Sequence, residues 1–499
     1  MINARTSTFL FFTKRAIYGG NLFIALLLIT AITGCSRPTI VEKIQQERVL
    51  HVITRNAPTV YYEDKDGPAG LEYDLAKLFA EKLGVELRLR VASNTTEVAS
   101  VIQKGYAHFG TAGFAVTEDS QKRFKFAPPY LHVSQQVVYR LGSGRPKKVA
   151  DLAGKPVWAV SGGHHVATLE ELGKDTPNLE WVETDDMEIS DLLRLIEEEQ
   201  IDYAIVDSNE LEMYQAIYPH VRAAFDLTEP EPHAWVFPDT EDDSLLKLAA
   251  EFFSEVEENG TLLQLKERYY GHLDQLNYVG AKTFIKHIEQ RLPSYQEAFK
   301  ISAEEYSLDW RLLAAIGYQE SHWKANATSP TGVRGLMMLT RGTAKDMGIE
   351  NRLDPESSIA GGAKYFAKIM NKIPDRITEP DRTWFALASY NVGFGHVEDA
   401  RILAQRDNKD PNKWVVVKEY LPLLSKKKWY SQTRYGYARG YEPVAYVQNI
   451  RRYYDALTWM SQPQNDAALV SKEAAEFEES PPVDAIIESQ AFDILPPML

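Results

Sequence analysis

Near residue 270 the spacing of apolar residues changes period, and that change constrains the fold more than any other feature of the chain. Between Arg48 and about Tyr270, short apolar runs (RVLHVITR, GVELRLRVAS, AHFGTAGF, QQVVYR, PVWAVSG, LEWVET, IDYAIVDS and AWVFP) alternate with amphipathic stretches such as EYDLAKLFAEKLG and EISDLLRLIEEEQ. Runs of that length read as strands and the stretches between them as helices, so this part is α/β. Gly84 supplies a C-cap for the helix that precedes GVELRLRVAS. After His272 the strand signal fades, and a helical period runs through DWRLLAAIGYQE, AGGAKYFAKIMNKI, TWFALASY and AYVQNIRRYYDALTWM. The expected organisation is an α/β domain over 36–270 and a mainly helical domain over 275–460.

The two ends follow neither pattern. Lys14 and Arg15 precede an apolar run from Leu22 to Ile32, then Thr33 and Gly34 lead into Cys35, the one cysteine among 499 residues. A lone cysteine forms no intrachain disulfide, and the run is short for a bilayer span, so residues 1–35 read as an export signal. The local pattern resembles a bacterial lipobox. It implies an acylated Cys35 tethering the chain to a membrane surface, and Ser36 after it resembles an outer-membrane sorting signal, which implies a periplasmic address in a Gram-negative bacterium. Beyond Pro463 eight acids face a single base, Lys472, without periodicity, so 463–499 reads as a disordered acidic tail. The formal charge of -15 argues against nucleic acid as a partner.

In the α/β half, GLEYDLAKLFAEKLGVEL from Gly70, TEDSQKRFKFAPPY from Thr117 and IDYAIVDS from Ile201 occur in an order that resembles the amino-acid-binding (family 3) periplasmic solute-binding proteins. The resemblance implies two α/β lobes closing around a small ligand, with Thr117, Ser161 and Asp207 contacting it and Asp207 taking its ammonium group. The family's carboxylate-clamping arginine is missing: the position counted from Thr117 is Ser120, with Lys122 and Arg123 nearby. Loss of a bidentate contact turns the expectation from a free amino acid alone toward a muropeptide as well. His164 and His165 suggest metal, but as neighbours in an extended turn they are expected to point apart on an exposed loop, so no metal site is assigned.

The helical half carries one acid where another leucine belongs. Asp309 can cap a helix in which Leu313, Ile316, Gly317 and Glu320 fall at i, i+3, i+4 and i+7, on one face. A carboxyl on an apolar face is desolvated and its pKa rises, so it can stay protonated near neutrality and donate to a leaving oxygen. A buried glutamate paired with a base such as Arg334 is the alternative.

The neighbourhood of Glu320 favours the proton donor. ESHWKANATSPTGVRGLMMLT from Glu320, SYNVG from Ser389 and YEPVAYVQNI from Tyr441 resemble the catalytic motifs of lytic transglycosylases with a lysozyme-like fold. This resemblance implies that Glu320 is acid and base in cleavage of peptidoglycan glycan strands without cofactor or metal. It further implies that Ser321, Ser329, Met337, Met338, Tyr390, Asn391 and Tyr446 contact or frame the sugar. The usual Gly-Leu-Met-Gln reads Gly-Leu-Met-Met here, so Met338 cannot supply the glutamine amide. Asn391 and Gly393 also serve to stop the TWFALASY helix, and Trp429, Tyr430, Tyr435, Tyr437 and Tyr441 fit either a core or a sugar-stacking surface. A second carboxylate at Asp346 or Glu350 stays open, as does an inactive peptidoglycan-binding or solute-sensing protein.

Overall fold

A computed structural model describes residues 38–64, 67–92, 94–185, 187–273, 278–329 and 332–461. Cys35, the export segment and the acidic tail lie outside the described residues.

The first half forms two sheets of five strands. In one, the order is Glu86–Ala92, Val49–Arg55, Phe109–Thr111, Val236–Pro238 and Phe124–Phe126; the first three strands are parallel, and Val236–Pro238 runs antiparallel to both of its neighbours. In the other, Glu180–Thr184, Pro156–Val160 and Tyr203–Asp207 are parallel, and Gln135–Arg140 runs antiparallel to both Tyr203–Asp207 and Val221–Asp226. Helices cover both faces, which explains why Val49–Arg55 is buried almost without a break instead of at alternate positions. The helix Leu71–Leu83 ends at Gly84, whose left-handed backbone (φ 71°) returns its N–H to the Ala80 and Glu81 carbonyls. Its apolar face packs Phe79 against Phe109, Trp235 and Phe252 in the core of the first lobe.

The chain passes between lobes through two short paired strands, Leu131–Val133 and Glu231–His233. Arg55 and Asp207 each end a strand, one per lobe, so their side chains belong to the cleft where strand C-termini meet.

The helical half packs Gln296–Glu305, Trp310–Ser321, Pro355–Met370, Asp381–Val392, Phe394–Arg406 and Tyr441–Ser461 around Phe299, Ile316, Leu336, Phe366, Phe385, Trp414 and Val447. Gly317 lets its helix pack closely: a Cβ there would lie 2.9 Å from Phe299 Cζ and 3.1 Å from Met337 Sδ. The two halves are joined by charge. Glu267, on the helix Thr261–Tyr270, is buried and accepts from Lys418 Nζ at 2.7 Å and Arg451 Nη1 at 3.1 Å. Gln264 donates to Asp381 at 2.6 Å, and His272 pairs with Asp455. Between the halves lies a cavity of about 330 Å³, bordered by Tyr214, Ile217, Leu312, Trp384 and Trp459, and Glu320 does not line it.

Candidate active site

Glu320 sits in the last turn of the helix Trp310–Ser321. The start of that helix is fixed by Asp309, whose carboxylate accepts from the Arg311 N–H at 2.8 Å and from the Tyr454 hydroxyl at 2.8 Å. Its end is fixed by Trp323, which is buried and donates its indole N–H to the Ala314 carbonyl at 2.9 Å. His322 and Trp323 take left-handed backbone (φ 51° and 53°), and Met338 does likewise at φ 47°. Such conformations cost about 1 kcal/mol or more apiece and gather where surrounding structure dictates geometry.

The Glu320 carboxyl is half-buried, and the Tyr446 hydroxyl donates to its Oε1 at 2.6 Å. The Tyr390 ring lies nearly parallel to that of Tyr446 (6.4 Å, 14°) and contacts Tyr365 at 5.2 Å. Burial pushes the Glu320 pKa up to about 7, and the Tyr446 hydrogen bond, which favours the ionised form, only partly offsets it. No charged group contributes to that shift, and among the described residues Glu320 makes no ion pair, with Arg334 or any other base. Asp346 and Glu350 are both exposed, and neither perturbs the Glu320 carboxyl.

The other residues expected around the sugar divide into surface and support. Ser329 and Met338 are half-buried, and Asn391 is exposed in the final turn of Asp381–Val392, which Gly393 (φ 91°) terminates. Tyr390 is partly exposed and donates to the Met337 carbonyl at 3.1 Å. Two expectations need correcting. Met337 is fully buried against Gly362 and Gly317, so its side chain belongs to the core and its carbonyl anchors Tyr390. Ser321 is also buried, its hydroxyl donating to the Gly317 carbonyl and accepting from the Lys324 N–H, both at 3.2 Å, which closes the helix end. Among the aromatic residues left open, Tyr435, Tyr437 and Tyr441 are exposed, while Trp429 packs against the core.

The cleft of the first half is shut by its own side chains. Arg55 donates its Nε–H to the Ala112 carbonyl at 3.0 Å, pairs with the buried Glu210 of the opposite lobe and lies 3.9 Å from Glu188. Gly162 approaches Thr96 so closely that a Cβ would sit 2.1 Å from the threonine hydroxyl, which itself donates to the Ser161 carbonyl at 3.4 Å. Thr117 is occupied locally, exchanging hydrogen bonds with Ser120. Lys122 and Arg123, held in ready for the missing arginine, are exposed and pair with Asp119.

The expectation for His164 and His165 is overturned. They open a helix, His164–Asp175, instead of lying in an extended turn, and His165 is buried. Both Nε2 atoms lie 3.0 Å from Asp207 Oδ1. Burial opposes ionisation of Asp207, but the two imidazoles outweigh it and hold its pKa well below the usual carboxylate range. Burial likewise raises Glu72 and Glu188 to about 7. Sequence reasoning passed over Arg55, Glu188 and Glu210. Arg55 carried a signal, as a charge closing an apolar strand at the end where α/β ligands bind, whereas Glu188 and Glu210 look like ordinary helix-surface acids.

Two α/β lobes in front of a helical domain with one desolvated glutamate, hydrogen-bonded to a tyrosine hydroxyl, fit a glycan-cleaving enzyme joined to a solute-binding type of domain. Residues 50–272 match the model for bacterial extracellular solute-binding proteins, family 3, and residues 297–415 match the transglycosylase SLT domain. A protein of Hahella chejuensis named membrane-bound lytic murein transglycosylase F is 52% identical over 95% of this chain and 94% of its own length. The protein of that name from Pseudomonas fluorescens is 51% identical, covering 87% of this chain and 90% of its own. The chain belongs to the membrane-bound lytic murein transglycosylase F family and is a murein-cleaving transglycosylase. An ancestral arginine-binding protein bound to arginine aligns with 44% of this chain and 98% of its own at 23% identity and a TM-score of 0.41. No helix among the described residues is long and apolar enough to cross a membrane.

Proposed function

We propose that Glu320 alone performs both proton transfers of a non-hydrolytic cleavage of the β-1,4 bond between N-acetylmuramic acid and N-acetylglucosamine. The protonated carboxyl gives its proton to the bridging oxygen as the C1–O bond breaks. The resulting carboxylate then takes the proton of the muramic C6 hydroxyl while that oxygen bonds to C1, leaving a 1,6-anhydromuramoyl end and a restored acid. Ordinary glycosidases divide this work between two carboxylates. An internal hydroxyl has a high effective concentration and needs no activated water, so one group that can exist in either state suffices. The observation that carries the reading is a carboxyl whose pKa lies at about 7 through burial, touched by a neutral hydroxyl and, among the described residues, by no charge.

Glu320→Gln is expected to keep the fold and murein binding while losing cleavage by at least roughly 10²- to 10⁴-fold. Mass analysis of digested sacculi is the readout: reducing muramic ends from the unaltered enzyme would make it a hydrolase, and undiminished turnover by the variant would remove Glu320 from the reaction.

The same proposal assigns the front domain to sensing, with a muropeptide or amino acid as effector. In the closed cleft Glu210 already holds Arg55 and the two histidines already hold Asp207. An effector with a carboxylate and an ammonium group must displace both. Acylation of Cys35 would attach the enzyme to the periplasmic face of the outer membrane, in keeping with the membrane-bound name of its relatives. Labelled acyl chains are expected on the full chain and lost in Cys35→Ala.

A further inference from the structure

We propose that His164, His165 and Asp207 form a binding site for a divalent transition-metal ion of the zinc type inside the interlobe cleft. Adjacent residues on a helix diverge by about 100° and do not face each other. Here the first two residues of His164–Asp175 nevertheless bring their rings to 4.2 Å and both Nε2 atoms to 3.0 Å from one carboxylate oxygen. The three ligand atoms lie within 4.8 Å of one another, and among the described residues this is the one such group of three or more histidine, cysteine or acidic side chains. Two imidazole nitrogens and a carboxylate oxygen are a donor set suited to zinc and its neighbours, and too nitrogen-rich for calcium or magnesium.

A second observation points the same way. His233, on the strand that connects the lobes, is buried, its ring is 6.0 Å from that of His164, and its Nε2 has no hydrogen-bond partner among the described residues. An unpartnered buried nitrogen is costly, and a metal or a metal-bound water would satisfy it. Glu210 Oε2, also buried, likewise lacks a hydrogen-bond partner among the described residues. Asp207 and Glu210 set two carboxylates against the guanidinium of Arg55.

Size argues for an ion over an organic ligand in this closed state. The two spaces bordering Asp207 measure about 40 and 10 Å³. That holds an ion with one or two waters, and is far below the roughly 300 Å³ at which small-molecule pockets begin. The three ligands belong to the second lobe and His233 to the connection, so a bound ion would tie the second lobe to the strand that leads out of it. The site stands apart from Glu320 and does not depend on its chemistry.

The test uses the full chain, freed of metal with a chelator, dialysed against zinc sulfate and assayed for bound zinc by atomic emission. One zinc per chain is expected, with affinity reduced at least about tenfold in His165→Gln and in His164→Gln and unchanged in His132→Gln, whose side chain is exposed. Circular dichroism of each variant confirms that the fold is kept, and cobalt(II) absorption gives a second readout that the same two variants should abolish. Substoichiometric zinc in the unaltered chain, or binding that survives both glutamine substitutions in folded protein, overturns the site.

Discussion

Tyr446 and Arg451 stand on one helix, five residues apart; the first donates to Glu320 at 2.6 Å and the second to Glu267 at 3.1 Å. The Glu320 carboxyl and the front half are therefore joined by the same rigid element, over about 7.5 Å of helix axis. Arg451 is also seated against the Trp384 ring at 4.1 Å and donates to the carbonyls of Glu267 and Arg268, so its end of the helix is held by the front domain's last helix.

The first expectation concerns pH. Glu320 must be protonated to start the reaction, and with its pKa at about 7 the rate of cleavage falls as pH rises through that value. Tyr446→Phe removes the hydrogen bond that favours the carboxylate, so the falling limb moves to higher pH. Initial rates on purified sacculi between pH 5 and 9 report it; a limb near the ordinary glutamate value would contradict the assignment.

Stability gives the same carboxyl an independent readout. Its pKa rises from 4.5 to about 7 on folding. Below 4.5 the group is protonated in both states and costs nothing. Above about 7 it is ionised in both, and the full cost of about 3 kcal/mol applies, at roughly 1.4 kcal/mol per unit. Glu320→Gln is thus expected to match the parent in chemical denaturation at pH 4 and to exceed it by up to that amount at pH 8.

Arg451→Met tests the joint between the halves. It leaves Glu267 buried with Lys418 alone, and breaking a buried pair costs about 3–5 kcal/mol. Calorimetry should show the two halves unfolding in separate transitions. If helix position sets the Glu320 environment, the pH limb shifts upward as in Tyr446→Phe.

Glu210→Gln weakens the hold of one lobe on the other, because Glu210 is the buried acceptor paired with Arg55 and lies 3.4 Å from the Thr59 hydroxyl. Small-angle scattering is expected to report a larger radius of gyration than that of the parent. An unchanged radius would place the closing force elsewhere, at contacts such as Gly162 with Thr96.

How much of this was legible in the sequence depended on range. The Glu320 helix, its Asp309 cap and the Gly84 terminus are local patterns, and periodicity alone placed them. Met337 was misjudged because motif membership does not distinguish a side chain that touches substrate from one that props a neighbour. Ser321 failed for the same reason, its hydroxyl being spent on backbone. The convergence of His164 and His165 on Asp207 was invisible because adjacency in sequence argues for divergence, and only the register of Tyr203–Asp207 beside Pro156–Val160 sets the aspartate opposite them. Arg55 with Glu210 joins positions separated by 155 residues, beyond any spacing rule.

The 21-residue rod Tyr441–Ser461 has a mechanical corollary. A stiff element seated in two domains cannot tilt at one end without displacing the other. A hydrogen bond such as that from Tyr446 is lost over a few tenths of an ångström. If the front module governs the enzyme, neither a melting loop nor a blocked groove is required: a slight lurch, levered through one shaft, resets the pH at which the Glu320 carboxyl gives up its proton.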